Sequence, residues 1–356
     1  MKKLFFFILA SYTIQAQNID ISIFSDCSNK NNILFKAEGS DYTLNSRKKT
    51  IIFQANELYY LTENLLGFCI SDQNKQIECF DSKIELKPNI ESGYFRISVN
   101  NDERLYKGSL IIKKDSILHL INNVKLEEYV AGVVDSECGH VKQLDLLRAQ
   151  AIIARTFALK NKEKHIESGF SLCDLTHCQV YKSMSYLKNS ILIKKAVLST
   201  TSMILLDEKN ELINSVFHSN CGGITANSED VWQSFTPYLR SVIDTFCLNQ
   251  NHSIWTKNIP FNNSTKFACN DFLVRHKLSI VNNDTINMNN FRVNYNLPST
   301  LFNGFRQNDK IILEGKGFGH GVGLCQEGAI RMAELGYNFK QILYFYYTKV
   351  RLFSPM

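Results

Sequence analysis

Apolar residues recur at spacings of three and four along two neighbouring runs of the chain. In Val124–Lys160, VKLEEYVAGVVDSECGHVKQLDLLRAQAIIARTFALK, Tyr129, Val130, Val133 and Val134 share one helical face, and Leu144, Leu147, Ala151, Ala154 and Ala158 share another. Two helices are predicted, parted by the polar stretch 135–140. Small residues along the second stripe let another element approach closely. Upstream the period is two: Ile19–Phe24 alternates, and Ile33–Phe35, Thr50–Phe53 and Glu57–Leu61 are short β-prone runs separated by Asn, Ser, Gly and Lys. Residues 17–101 therefore read as a β-rich N-terminal region. Leu105–Ile112 and Ile117–Val124 predict a hairpin about Lys114-Asp115-Ser116 that leads into the first helix, so the main domain is placed at 102–356. Downstream, the pattern predicts a helix over Ile191–Thr200, a buried strand at Met203–Leu206 and a helix over Leu324–Leu335 closed by Gly336. A last helix at Phe339–Tyr347 and a strand at Val350–Leu352 follow. From Leu248 to Asn308 the signals are weak, with Trp255, Phe272-Leu273-Val274 and Leu297–Phe302 as apolar anchors. Helices and strands are interspersed, and the predicted class is α+β.

Composition alters this picture little. Apolar residues make up 44% and charged residues 21%, as in an ordinary globular chain. Met1–Ala16 reads as a signal peptide, with Lys2-Lys3 as its basic start, Leu4–Ile14 as its apolar core and Ala16 as the small residue at cleavage. Its two lysines supply two of the six net positive charges, and the remaining +4, without a basic run or RNA motif, does not indicate a nucleic-acid partner. The apolar run is too short to span a bilayer, and no second long one follows, so no transmembrane anchor is expected. The expected location is outside the cytoplasm, in the periplasm or cell envelope of a bacterium.

An exported chain with ten cysteines can hold disulfides. Cys69 and Cys79 are the easiest local pair, because they bracket a predicted hairpin at Asp72-Gln73-Asn74-Lys75. In LCDLTHCQVY, Cys173, His177 and Cys178 stand close enough to ligate one Zn2+. A fourth ligand would come from elsewhere: a Cys, Glu137 or water. A disulfide or two buried thiols are the alternatives.

Glu137 lies between an apolar helical run and a Gly break. At the end of a buried helix its carboxyl would be suited to donating a proton; a solvated loop Glu is the simpler reading. In VFHSNCGGITA, Gly222-Gly223 permits a tight turn, and Ser219 and Asn220 could offer polar groups to a sugar. Trp232 could stack on a pyranose ring or sit in the core. The alternating glycines of GKGFGHGVG lack the Lys-Ser/Thr of a P-loop and predict a flat strand with one bare face, where a ligand or another backbone comes close. His320 stands in that strip with little side-chain company.

These stretches together resemble the SpoIID/LytB family. LEEYVAGVVDSE followed by LRAQAIIARTFAL is similar to its core motif, CDLTHCQVY to its variant with paired Cys and His, and Gly315–Ala329, GKGFGHGVGLCQEGA, to its glycine motif. Two departures stand out: Cys138-Gly139 where the family often has Met-Pro, and Cys325 where Ser is usual. The resemblance implies a peptidoglycan lytic transglycosylase, with Glu137 as catalytic acid. It also implies a glycan groove contacted by Arg148, Gln150, Arg155, Gln179, Tyr181, Ser219, Asn220, Trp232, His320 and Gln326, and zinc in some members. Cleavage after N-acetylmuramic acid would leave 1,6-anhydro ends. The alternative within the family is a non-catalytic enhancer that binds glycan strands and assists a cell-wall amidase. A zinc hydrolase built on Cys173, His177 and Cys178 is a third reading.

Overall fold

The computed structural model describes residues 17–27, 29–30, 32–46, 49–182, 191–250, 252–260, 275–281, 284–307 and 310–354. The expected signal peptide, Cys269 and the anchor Phe272-Leu273-Val274 lie outside them. The fold is α+β. Among the described residues the helices are α1 (Leu126–Cys138), α2 (Leu144–Lys160), α3 (Ile191–Ser199), α4 (Ser228–Trp232), α5 (Met288–Asn294), α6 (Gln326–Glu334) and α7 (Phe339–Tyr346). None of them is long and apolar enough to cross a membrane. The chain divides into two compact units, one drawn from Met1–Gly139 and Asn161–Val197, the other from His140–Lys160 and Leu198–Met356.

The first unit is built on two sheets. One runs, in spatial order, Leu172–Cys173, Asn18–Ile23, Leu118–Lys125, Ser109–Lys114, Ile84–Pro88, Tyr42–Asn45, Thr50–Phe53. The other runs Asp102–Lys107, Tyr94–Val99, Ile33–Glu38, Leu58–Glu63, Phe68–Ser71, Gln76–Phe80. The alternation read from the sequence is the alternation of burial: in Ile33–Glu38 every second residue is buried. The inward residues meet in an aromatic core, with Phe35 against Tyr42, Phe53, Tyr59 and Phe95 at centroid separations of 5.6–6.4 Å. The β-rich character does not stop at residue 101, because strands through Lys125 pair back onto earlier ones. The expected hairpin is Ser109–Lys114 with Leu118–Lys125. Gly108, at φ +83°, parts it from Asp102–Lys107, which belongs to the other sheet. Cys69 and Cys79 form the disulfide expected across their hairpin.

In the second unit α2 packs against α6, α7 and the strand Ile204–Asp207, which pairs with Val350–Phe353. The region of weak signal holds more structure than its pattern predicts. Ile254–Pro260, Lys310–Lys316 and Leu301–Gln307 form a three-stranded sheet, and α5 packs on it over a small core of Ile259, Met288, Phe291, Leu297, Phe302, Ile311 and Leu313. Polar Asn and Lys between the apolar residues blur the period of two there.

The glycine run is a strand only as far as Lys316. Beyond it the backbone turns repeatedly, with positive φ at Gly317, Gly319, Gly321 and Gly323, so the expected flat strand is corrected to a loop. The close backbone approach is present. A Cβ on Gly317 would stand 2.7 Å from the Asn220 carbonyl oxygen, and one on Gly323 2.1 Å from that of Val216. Phe35 is the hub of the first unit's core, so Phe35→Ala should lower stability by about 3–5 kcal/mol, read as a shifted denaturation midpoint. A loss under about 1 kcal/mol would show that the two sheets do not share that core.

Candidate functional site

Helix α1 begins with Glu127 and Glu128 in its first turn, where the helix dipole favours acidic groups, and runs through Cys138. The Cys138-Gly139 departure therefore leaves the helix intact past Glu137. Gly139 closes it with its N–H on the Asp135 carbonyl, and a Cβ there would lie 2.4 Å from that oxygen. Glu137 is half-buried in the last turn, and its Oε1 accepts the Val180 N–H at 3.0 Å. Two further bonds tie the same helix to the same segment: the Tyr129 hydroxyl donates to Gln179 Oε1, 3.1 Å, and Lys182 N–H donates to Ser136 Oγ, 3.1 Å. The segment 179–182 is thus stitched along α1 at three points, the middle one being the Glu137 carboxyl.

The loop leading into that segment carries a cluster of His165, Cys173, His177 and Cys178, whose ligand atoms all lie within 4.8 Å of one another. Cys178 Sγ is 3.4 Å from His165 Nε2 and 3.8 Å from His177 Nδ1, and Cys173 Sγ is 3.8 Å from His177 Nδ1. A tetrahedral ion with ordinary thiolate and imidazole bond lengths needs S···N edges of about 3.5 Å, so the set could hold a metal ion. The hydrogen bond from Cys178 and the neighbouring His177 hold the Cys173 thiol down, to about 4. His165 is the ligand that the sequence reading missed. Its only signal was a histidine eight residues before Cys173, in a turn with no pattern. His165, rather than Glu137 or a further Cys, completes the set of four that could hold an ion.

Asp174 fixes this loop from beneath. It is fully buried and accepts from Phe24 N–H at 2.7 Å, Ser25 N–H at 3.1 Å and Arg104 Nη1 at 2.8 Å. Burial pushes its carboxyl up, and the amide donors and Arg104 pull against that. The Arg104 guanidinium also lies 3.9 Å from the centre of the Phe24 ring.

Several expected glycan contacts prove to be internal braces. Arg155 is fully buried, with Nη1 on the Met203 carbonyl at 3.1 Å, and Thr156 Oγ1 takes the Leu205 N–H at 3.0 Å, so this motif fastens α2 to the strand Ile204–Asp207. Gln150 is fully buried in the same helix. Tyr181 is buried with its hydroxyl on Asn122 Oδ1, 2.8 Å. Asn220 is buried too: Nδ2 donates to Glu327 Oε2, 2.6 Å, and the Cys247 carbonyl, 3.2 Å, while Oδ1 accepts Gly222 N–H, 2.7 Å. Arg155, Tyr181 and Asn220 direct these polar atoms to the protein itself. Gln179 is buried as well, but its Nε2 has no hydrogen-bond partner among the described residues. Arg148, Ser219, Gln326 and Trp232 keep surface; Arg148 donates to Ser199 Oγ at 3.0 Å.

In the second unit Trp232 is 40% exposed, so it is not a core residue. Its ring centre lies 5.1 Å from that of His320, which has His218 on its other side at 5.5 Å. His320 therefore has the side-chain company that its glycine neighbours seemed to deny it. Helix α4, which carries Trp232, is clamped by Arg240, whose Nη1 lies 2.7 Å from Glu229 Oε1 and whose Nη2 lies 3.0 Å from Ser228 Oγ.

The protein-family model described as Stage II sporulation protein, SpoIID, matches residues 114–206, which span α1, α2 and the Cys/His loop. Stage II sporulation protein D of Bacillus subtilis (strain 168) is 33% identical over 65% of this chain and 75% of its own length. The chain belongs to the SpoIID/LytB family. An uncharacterised protein of Brachyspira hyodysenteriae is 28% identical over 95% of this chain and 94% of its own. The amidase enhancer of Bacillus subtilis (strain 168) is 24% identical over 63% of this chain, which spans 40% of that relative. Family membership brings a cell-wall related role.

The imidazoles of the second unit give a test. Val322 N–H donates to His320 Nδ1 at 3.1 Å, which places the ring proton on Nε2. Burial, with Arg292 and Arg275 nearby, draws His320 down to about 4, and burial holds His218 well below its ordinary value. The unfolded chain takes these protons near pH 6.5, so stability is complete above that pH and is lost as pH falls towards 4. His320→Gln should flatten the fall in Tm between pH 6.5 and 5. A wild-type Tm that is constant over that range rejects the neutral assignment.

Proposed function

We propose that the protein is an exported peptidoglycan lytic transglycosylase that cleaves glycan strands after N-acetylmuramic acid, with Glu137 as its acid and then its base. The observation that carries this reading is the Glu137 carboxyl, half-buried in the last turn of α1 with Oε1 fixed by the Val180 N–H. The amide bond orients the carboxyl in the last turn of α1. Glu137 gives its proton to the glycosidic oxygen as the bond to the muramic C1 breaks. The carboxylate then takes the proton of that sugar's C6 hydroxyl as O6 bonds to C1, which closes the 1,6-anhydro ring without water and restores the acid. The route needs a single carboxyl. The neighbouring acid Asp135 is two residues away on the same helix, and side chains at that spacing do not face each other.

His165, Cys173, His177 and Cys178 would hold Zn2+ as a closed set of four ligands, the pattern of a structural rather than a catalytic site. The ion would tie down the loop that delivers Val180. In the second unit Ser219, Gln326 and the exposed Trp232 face remain as candidate sugar contacts, Trp232 by stacking on a pyranose ring.

Glu137→Gln keeps size and shape but cannot carry the proton. Release of anhydro-ended glycans should fall by about 10²–10⁴-fold, with Tm and glycan binding unchanged. A normally folded variant that cuts at the wild-type rate would falsify the assignment. The similarity to an amidase enhancer favours a second reading, a glycan-binding partner of a cell-wall amidase. That reading expects no cleavage products from the wild type and a stimulated amidase. Cys173→Ser should remove one zinc ion per chain and lower Tm; unchanged metal content would show that the loop holds none.

A further inference from the structure

A second group of candidate metal ligands lies in the other unit. Cys221, Asp244, Cys247 and Cys325 are all fully buried, and their ligand atoms lie within 4.8 Å of one another. Cys221 Sγ is 3.3 Å from Cys247 Sγ and 3.3 Å from Asp244 Oδ2. A tetrahedral Zn2+ with three thiolates and one carboxylate has S···S edges of about 3.8 Å and S···O edges of about 3.5 Å. The two edges at Cys221 are within about half an ångström of those values, and the other ligand atoms lie within 4.8 Å of one another.

Three features separate this group from a chance packing of thiols. First, backbone donors are aimed at the sulfurs: Cys221 N–H and Gly328 N–H point to Cys325 Sγ at 3.2 and 3.4 Å, and Gly223 N–H to Cys247 Sγ at 3.2 Å. Such N–H donors suit thiolates and are the usual outer shell of a thiolate-bound ion. Second, Cys325 sits at the N-cap of α6, where the helix dipole favours negative charge. Third, among the described residues the Asp244 carboxylate bonds to neutral groups: the Tyr346 hydroxyl at 2.9 Å, the Phe246 N–H at 3.0 Å and the Cys221 and Cys325 thiols. A buried carboxylate is costly without a countercharge. Arg275 borders the group, with Nη2 on the Cys221 carbonyl at 2.5 Å, and would offset part of the net negative charge of an occupied site. A Cys221–Cys247 disulfide uses two of the three sulfurs and leaves Cys325 and Asp244 unexplained. The pair also stands well beyond the bonded S–S length of about 2.05 Å.

We propose that Cys221, Asp244, Cys247 and Cys325 form a closed structural Zn2+ site. The ion would join the Gly222-Gly223 turn, the short helical turn Thr245–Cys247 and the start of α6, and so hold the glycine loop from behind. The site is independent of cleavage at Glu137 and of zinc at the first cluster.

The test is native mass spectrometry with metal analysis of the full chain, purified without chelator, in a Cys173→Ser/Cys178→Ser background that removes the first cluster. One zinc ion per chain is expected, and it should be lost in a further Cys247→Ser variant. Alkylation in denaturant with chelator and without reductant should label Cys221, Cys247 and Cys325. A metal-free chain overturns the proposal, whether Cys221 and Cys247 are then linked as a disulfide or all three thiols are free. If the background variant does not fold, Cys247→Ser alone decides: loss of one zinc ion relative to the unmutated chain supports the site, and an unchanged zinc content overturns it.

Discussion

Asp174 is a carboxylate with no access to water, held by two amide N–H groups and a guanidinium. Removing the Arg104 partner would strand a buried charge at a cost of about 3–5 kcal/mol, so the arrangement is all or nothing. What it fixes is the chain on either side. Cys173, one residue before it, pairs with the end of Asn18–Ile23, and six residues after it Val180 grips Glu137. The position of the proposed acid is thus set by groups on the first strand of the unit, on Asp102–Lys107 and on the Cys/His loop, far apart in sequence and brought together by the sheets. A loop Glu would have none of this support, and its carboxyl would sample many directions.

The motif residues divide along a physical line. Arg155 and Thr156 bond to main-chain atoms of an adjoining strand, and Asn220 joins three separate backbone and side-chain groups. Each satisfies buried polar atoms that would otherwise cost 1–3 kcal/mol apiece. The family resemblance offers Arg155 and Asn220 as ligand contacts, but a residue type that can bind a sugar can also brace a helix. Only burial tells the two apart. The same logic promotes Trp232, an aromatic that could have belonged to the core and instead presents 40% of its surface.

Periodicity read the fold well where one face is buried. Both helices of the 124–160 stretch, the strands expected at Ile19–Phe24, Thr50–Phe53 and Glu57–Leu61, and the closing helix and strand lie within a residue or two of their expected places. It failed where the backbone rather than the side chain decides. The glycine run alternates like a strand, yet its alternate residues take positive φ, a choice that glycine hides because it carries no side chain to be patterned. It also failed for His165, whose partners Cys173, His177 and Cys178 are assembled by a turn and a two-residue strand with no periodic signature. The stripe ends at Val134 and leaves Glu137 in the polar break, where the family resemblance singles it out; the helix runs on through Cys138 and carries the carboxyl in its last turn.

Helix geometry also bears on the chemistry. A glycosidase that uses water or a covalent intermediate needs two carboxyls facing one bond, about 5–9.5 Å apart. Successive acids on one helix meet that demand only at spacings of three or four, and the acids around Glu137 do not have it: Asp135 is two residues away. Cys138, the next residue, is buried. A carboxyl oriented by the Val180 amide and half-shielded from water suits a reaction in which the substrate supplies its own nucleophile. There the same group donates a proton and takes one back, and nothing on the far face of the sugar is asked of the protein.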